Sequence, residues 1–181
     1  MSRTSQTETA VLGALSVMPM TGYAVRDAIR DVLGHFWSES FGQIYPTLSR
    51  LEAEGLVARD ARDGGAPYRI TPEGLARLRA LLAEPAQPSV PRNGLLLRLF
   101  FGRHLGVEAC RGLVADARVA AEAQLAGYTA IRAGIAAGEG TEADRPFWLL
   151  TISAGEHAAR STIAWADEAM ASLAAIDGSA R

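Results

Sequence analysis

The sequence predicts a mainly α-helical chain in two parts: three short helices, a small β-hairpin and a fourth helix, then a second set of longer helices. Three observations predict it. Apolar residues recur at helical spacing through the first 57 residues. The pattern then changes to LVARDA, RDGGA and PYRIT, which reads as strand, turn and strand with Gly64 and Gly65 in the turn. Finally, EPAQPSVPRNG, residues 84–94, carries three prolines among polar fillers and reads as a domain boundary. The order of the first part is that of a winged helix-turn-helix. The expected division is a winged helix-turn-helix domain at 1–84, a linker at 85–94 and a helical domain at 95–181.

Residues 7–18 place Val11, Leu12, Leu15 and Met18 on one helical face, and Pro19 ends the helix. Thr21 is a natural N-cap for a second helix containing Tyr23, Val25, Ile29 and Val32 and ending at Gly34. After the aromatic stretch HFW, Ser40-x-x-Gln43 has the form of a capping box, which starts a third helix at Phe41. Pro67 belongs at a strand start or edge. Thr71-Pro72-Glu73 is an N-cap with proline at the first helical position, opening a fourth helix to Ala83. Beyond the linker come the short apolar LLLRLFFGRHL, a long alanine-rich amphipathic helix from Gly106, the loop EGTEADRP, and a last helix through FWLLTISAGEHAARSTIAWADEAMASLAAI.

Composition narrows the classes. Half of the 181 residues are apolar and a fifth are charged, an ordinary globular balance that excludes a disordered chain. The formal net charge is −2, so a nucleic-acid site has to be a local patch. Every basic side chain apart from histidine is Arg. Cys110 is the single cysteine, which excludes an internal disulfide and suits a reducing cytoplasm. No apolar run approaches the ~20 residues that span a bilayer. Glu8 and the missing small-residue cleavage site argue against a signal peptide. The expectation is a cytoplasmic protein with no membrane partner.

The third helix is the informative one. At 100° per residue, Ile44, Leu48 and Leu51 form an inward stripe with Tyr45 on its shoulder. Gln43, Pro46, Thr47, Arg50 and Glu54 form the outward face, with Ser49 beside Tyr45. An amide, hydroxyls and one guanidinium can read base edges, and small side chains let a helix sit deep in a major groove. Pro46 removes one N–H and presses on the carbonyl of Gly42, so a bend or loosened first turn is expected, tilting the helix start toward a phosphate.

The segment GQIYPTLSRLEAEGLV, preceded by LGALSVMPMTGYAVRDAI and followed by a hairpin ending YRIT-PEG, resembles the PadR family of bacterial transcriptional regulators. Its Gly, Tyr, Pro, the Arg-Leu pair and Glu-Gly-Leu fall in the family's places, and TGY at 21–23 matches the start of its second helix. LLLRLFFG and WLLTISAGEHAARSTIAWADEAMASL resemble, through looser motifs, the helical C-terminal domain of the larger subfamily related to virulence-gene activators.

The resemblance implies a homodimer whose C-terminal helices exchange, each N-terminal domain entering a half-site of a near-palindromic double-stranded operator. It also implies that Tyr23 and Tyr45 reach phosphates, and that Gln43, Thr47, Ser49 and Arg50 face the groove. Ser40 at the helix start and Arg62 and Arg69 on the wing complete the DNA-binding set. One departure stands out. Many relatives carry a basic wing of the form Gly-Arg-Pro-Arg-Lys, whereas here Asp60 and Asp63 oppose Arg62 and Arg69. In residues 1–84, nine Arg face ten acids. Few phosphate contacts predict a shallow salt dependence.

In the second half, Phe100, Phe101, Tyr128, Phe147, Trp148 and Trp165 fall on helices that should bundle. Phe100, Phe101, Tyr128, Trp148 and Trp165 are candidates for a dimer interface or a pocket for a small aromatic or apolar effector. Trp37, beside Phe36, reads as packing for the third helix. His35, His104 and His157 are too far apart in sequence to read as a metal set. Cys110 reads as structural. With no catalytic constellation in the sequence, neither an enzyme nor a cofactor is expected. The reading is a dimeric repressor modulated by an effector. The alternative is a winged-helix interaction or ligand-binding module without DNA binding.

Overall fold

The computed structural model describes residues 3–33, 41–59, 65–85, 93–138 and 142–179. The chain divides into two compact units, Met1–Ser89 and Val90–Arg181. The first is three helices, a two-stranded antiparallel sheet and a fourth helix; the second is helical. The expected class, mainly α with a winged helix-turn-helix and a small hairpin, is the observed one.

In the first unit, α1 (Arg3–Val17) buries Val11, Leu12 and Leu15 against the other helices. It begins before the expected residue 7, and Met18, expected on the apolar face, lies past its end and is exposed. Helix α2 (Gly22–Ala28) is capped by the Thr21 hydroxyl, which accepts from the Ala24 N–H at 3.2 Å, and continues as a single π turn, Ile29–Leu33. Gly34, Phe36, Trp37, His35 and Ser40 lie outside the described residues, so the capping box at Ser40 does too.

The third helix opens differently from the expected start. Phe41–Gln43 forms a 3₁₀ turn, and α3 (Ile44–Ala53) begins after it, with Gln43 as N-cap but no side-chain cap bond. Pro46 therefore sits in the first α-turn, where an N–H has no intrahelical acceptor in any case. Its ring removes nothing the helix needs.

The end of α3 directs the chain into the sheet. Gly55 takes φ +72°, with its N–H on Glu52 at 3.0 Å and the Leu56 N–H on Leu51 at 2.9 Å, a Schellman closure. The backbone then enters β1 (Val57–Ala58), which pairs with β2 (Arg69–Ile70) in the register Val57↔Ile70 and Ala58↔Arg69. Met20 and Tyr68 exchange backbone bonds at 3.1 and 2.8 Å, extending the sheet toward the α1–α2 turn. Residues 60–64, including Arg62 and Gly64, lie outside the described residues.

Thr71 caps α4 (Pro72–Ala83) by accepting from the Gly74 N–H at 3.0 Å, and its hydroxyl hydrogen is shared between the carbonyls of Gly55 and Leu56. One residue thus joins the end of α3 to the start of α4. Gly74 packs directly on the Leu56 carbonyl, where a Cβ would collide. Val25, Ile29, Ile44, Leu48, Leu51, Val57, Tyr68, Leu78 and Leu81 complete the core.

In the second unit, α5 (Gly94–Phe100) is capped by the Asn93 side chain, which accepts from Leu95 and Leu96. A 3₁₀ turn, Gly102–His104, leads to α6 (Val107–Ala136), and α7 (Arg145–Ser179) comes last. Cross-helix partners Arg118–Asp167 and Arg132–Glu156 run in opposite directions along the two long helices, so α6 and α7 form an antiparallel hairpin. The buried Tyr128 ring occupies the space a Cβ at Gly155 would need, allowing the hairpin to close there. No described helix is long and apolar enough to cross a membrane.

Gly74→Ala is expected to destabilise the protein by about 2–3 kcal/mol, the range for forcing an atom into a packed site. Urea unfolding followed by circular dichroism measures this; an unchanged midpoint would contradict the close packing at Leu56.

Candidate nucleic-acid interface

Helix α3 presents two faces with different chemistry. Ile44, Thr47, Leu48 and Leu51 are buried, spaced i, i+3, i+4 and i+7. Thr47 is only 6% exposed, so the expectation that it faces outward is corrected. It lies one turn from Ile44 and from Leu51, inside the apolar stripe, and its small side chain fits there. The opposite face carries Gly42, Pro46, Ser49 and Ala53, all exposed, with Gln43 exposed on one flank and Tyr45 on the other. This face is small, neutral and capable of hydrogen bonding.

The charged residues of α3 are engaged elsewhere. Arg50 is its only Lys or Arg. It gives Nη2 to Glu8 at 2.9 Å and Nη1 to Glu54 at 3.0 and 3.1 Å. Arg50, 36% exposed, is thus shared between Glu8 of α1 and Glu54 at the end of its own helix. Glu8, on α1, is 4% exposed and also accepts from Arg77 Nε of α4 at 2.7 Å. Burial alone pushes the Glu8 carboxyl up, but the hydrogen bonds and charges of Arg77 and Arg50 outweigh it, and its pKa falls below the ordinary carboxylate value. On the other flank Glu52 holds Arg59 at 3.0 Å, and Arg59 lies over the Tyr68 ring at 4.9 Å.

Two tyrosines border the neutral face. The Tyr45 ring rests against Gly22, where an added Cβ would lie 2.9 Å from Cε1, so a larger residue there would displace the ring. Tyr23, the next residue, is 60% exposed, and the Arg26 guanidinium stacks over its ring at 4.1 Å. Arg69 is exposed on β2. The structure thus brings Tyr23, Gln43, Tyr45 and Ser49 to one accessible region of α2 and α3 and withdraws Thr47, while Arg50 is engaged by Glu8 and Glu54, and Ser40 and Arg62 lie outside the described residues. Glu8, Arg26 and Arg77 were missed by sequence reasoning. The i, i+3 spacing of Tyr23 and Arg26 was an available signal; the long-range pairing of Glu8 was not.

In the second unit the aromatics separate. Tyr128 is buried with Ile135 and Ile152, and the half-buried Trp148 packs on that cluster. Phe100 is 83% exposed and meets the exposed Phe101 edge-to-face at 5.1 Å. Phe147 is also exposed. Trp165 lines a cavity of about 600 Å³ with Leu99, Val107, Cys110, Val114 and Leu173, while Arg103 and Glu168 supply its charges. Cys110 is buried, with Sγ 3.7 Å from the Gly102 carbonyl. Among the described residues no group of His, Cys, Asp or Glu could hold a metal ion.

Residues 11–80 match the family model described as transcriptional regulator PadR-like family, and residues 91–174 match virulence activator alpha C-term. The chain thus carries a PadR-like domain followed by a virulence activator alpha C-terminal domain. The PadR-like match covers α2, α3 and the wing; the second covers the helices after the linker. The negative transcriptional regulator PadR of Bacillus subtilis is 29% identical over 98 residues, which are 51% of this chain and 54% of the relative. The match thus spans about half the length of that relative. A PadR-like transcriptional regulator from Bacillus cereus has the same fold, with a TM-score of 0.80 at 25% identity over 93% of this chain and 98% of that one. Bacillus subtilis PadR, solved with operator DNA, gives 0.78 at 22% identity over 92% and 98%. It has also been solved with p-coumaric acid, at a TM-score of 0.77 and 22% identity over 92% and 97%. These last two likenesses show the fold.

Glu8→Ala is expected to cost about 1–2 kcal/mol, because charge-assisted hydrogen bonds are lost while the guanidiniums, 36% and 45% exposed, regain water. Arg50→Ala costs less, since Glu8 keeps Arg77. The depressed pKa sets the sign with pH. The contribution of Glu8 is complete at neutral pH and is lost as pH falls from the ordinary carboxylate range through the lowered value. Urea melts of both variants across acid pH check this; Glu8→Ala should flatten the acid limb relative to the parent.

Proposed function

We propose that this chain is a sequence-specific, DNA-binding transcriptional regulator acting as a homodimer, with residues 1–84 as the DNA reader, 85–94 as linker and 95–181 as the dimerisation and effector domain. The observation that carries the reading is the outward face of α3, where Gly42, Pro46, Ser49 and Ala53 leave the backbone accessible between Gln43 and Tyr45. A helix exposed only to water gains nothing from so bare a surface, whereas one that enters a major groove needs it.

Each protomer would place α3 in one half-site of a near-palindromic operator, the two helices about one DNA turn apart. Repression is the favoured direction, on the strength of the Bacillus subtilis relative described as a negative regulator. The complex of that PadR with p-coumaric acid supports a small aromatic or apolar effector for this chain, and the Trp165 cavity is a site of suitable size for one. Effector binding would act by favouring one of two dimer geometries. No enzymatic step and no cofactor enters this mechanism, and its setting is the cytoplasm.

Exposed apolar side chains supply the dimer surface. Leu96, Leu97, Phe100, Phe101 and Leu105 stand exposed on α5 and the turn after it. Clusters of this kind mark association surfaces. Phe100→Glu is expected to convert the dimer to monomer in sedimentation velocity with the helical circular dichroism unchanged. A parent that sediments as a monomer would remove the dimer from the proposal.

Fluorescence anisotropy with the DNA upstream of the chain's own gene, against a scrambled duplex and across a salt series, tests the reading itself. Ser49→Ala and Gln43→Ala should weaken operator binding by about 10-fold or more, the value of a lost base contact, and leave binding to the scrambled duplex unchanged. If neither this DNA nor any fragment selected from the genome binds preferentially, a winged-helix module without DNA binding becomes the better account.

A further inference from the structure

We propose that Arg26 is the phosphate-binding cation of this interface and positions the Tyr23 hydroxyl beside it, so that the start of α2 supplies the backbone contact a basic wing would otherwise give. The inference rests on the DNA-binding reading and adds a residue and a role to it.

An exposed tyrosine on a helix surface ordinarily samples several rotamers, and holding it against a phosphate costs that freedom. Here one face of the Tyr23 ring is covered by the Arg26 guanidinium at 4.1 Å, from the i+3 position on the same side of α2. The stack leaves Tyr23 60% exposed, so the ring is oriented without being buried. Arg26 is itself oriented, with Nε and Nη2 directed at one oxygen of Asp27 at 3.4 and 3.1 Å. Tyr45 meets the same turn through Gly22. Two phenol hydroxyls and a planar guanidinium are therefore collected at the edge of the neutral α3 face. All are donors, and phosphate oxygens accept from such sets with charge assistance.

Three other cations have closest carboxylate contacts of 3.0 Å or shorter, while Arg69 on β2 is exposed but is not stacked on Tyr23. Arg50 has its two terminal nitrogens on Glu8 and Glu54. Arg30 is held by Asp27 at 2.9 Å and by both oxygens of Asp31 at 2.6 and 2.9 Å. Arg59 is committed to Glu52 and the Tyr68 ring. Arg26 has the looser carboxylate contact and the tyrosine beside it.

The test uses the full chain and a mixed-sequence duplex, because a phosphate contact is independent of sequence. Arg26→Gln should weaken binding about 10-fold at low salt and reduce the salt slope by about 0.9 per protomer, one phosphate each. Arg26→Lys should keep the slope and recover part of the affinity. Tyr23→Phe should weaken the parent and have little effect in the Arg26→Gln background. An unchanged slope in Arg26→Gln, or full additivity of the two substitutions, overturns the proposal. If Arg26→Gln does not fold, Arg26→Met, which keeps an apolar stem over the Tyr23 ring, decides: it should lower the salt slope in the same way, and an unchanged slope overturns the role. A parent that binds no duplex at low salt removes the DNA reading and this inference together. A parent that binds, with Arg26→Gln indistinguishable from it, removes this inference alone.

Discussion

Glu8 sits on the core face of α1, and a carboxylate there is tolerable only if cations come to it. Arg50 reaches it from α3 and Arg77 from α4, so one side chain ties three helices together. Apolar burial is non-directional, and by itself would allow α3 a range of rotations about its axis. Charge-assisted hydrogen bonds are directional and remove that range. With Arg50 bonded to Glu8, Thr47 is carried inward and Pro46, Ser49 and Ala53 outward. The second unit uses the same device. Glu156, buried on α7, accepts from Arg132 of α6 at 2.8 and 3.1 Å, with Arg160 of its own helix nearby. The Arg132 hydrogen bond, foremost, holds its pKa below the ordinary value. Alanine-rich helix faces offer few knobs to set register, and this pair with the Tyr128–Gly155 contact supplies it.

Local chemistry made much of the first unit legible in the sequence. Thr21 and Thr71 are caps because a β-region residue with a short hydroxyl can satisfy a first-turn N–H, and both were readable as such. The hairpin was readable from its change of period. Reading failed where a residue's role depends on something distant. A helical wheel sends polar side chains outward, which misplaced Thr47, whose neighbours Ile44 and Leu51 matter more than its hydroxyl. The Arg50–Glu8 pairing was not readable because the partner lies 42 residues away. Pro46 looked like a strain only while the helix was taken to start at Phe41; the 3₁₀ turn moves the α-helical start to Ile44 and leaves the proline in the permissive first turn.

The second unit was harder to read for a different reason. The helices were evident, but an aromatic residue on an apolar helix does not announce which side faces the core. GLLLRLF has little polar stripe, so its periodicity selects no face. Tyr128 is buried because Gly155 makes room for its ring, whereas Phe100 on α5 is exposed. The exposed group on α5 is larger than a lone apolar side chain at a surface requires, and it is the physical ground for expecting a second protein surface there.

Electrostatics connects the fold of the first unit to its recognition chemistry. Arg50 and Glu52 are the charges flanking the outer face of α3, and both are neutralised within the unit, by Glu8 with Glu54 and by Arg59. On the proposed DNA reading, Gln43 and Ser49 would recognise shape and hydrogen-bonding pattern, and α3 itself would have little general attraction for nucleic acid. Affinity would then come from phosphate contacts at the margin and, in the proposed dimer, from joining two readers, since a second half-site bound by a tethered partner sees a raised effective concentration. Under the proposed reading, a chain with a net charge of −2 would gain in selectivity from this division, because contacts that bind every sequence equally would be few and those that discriminate left to decide. On that reading, the buried glutamate that orders the fold would also keep the single guanidinium of α3 out of non-specific binding.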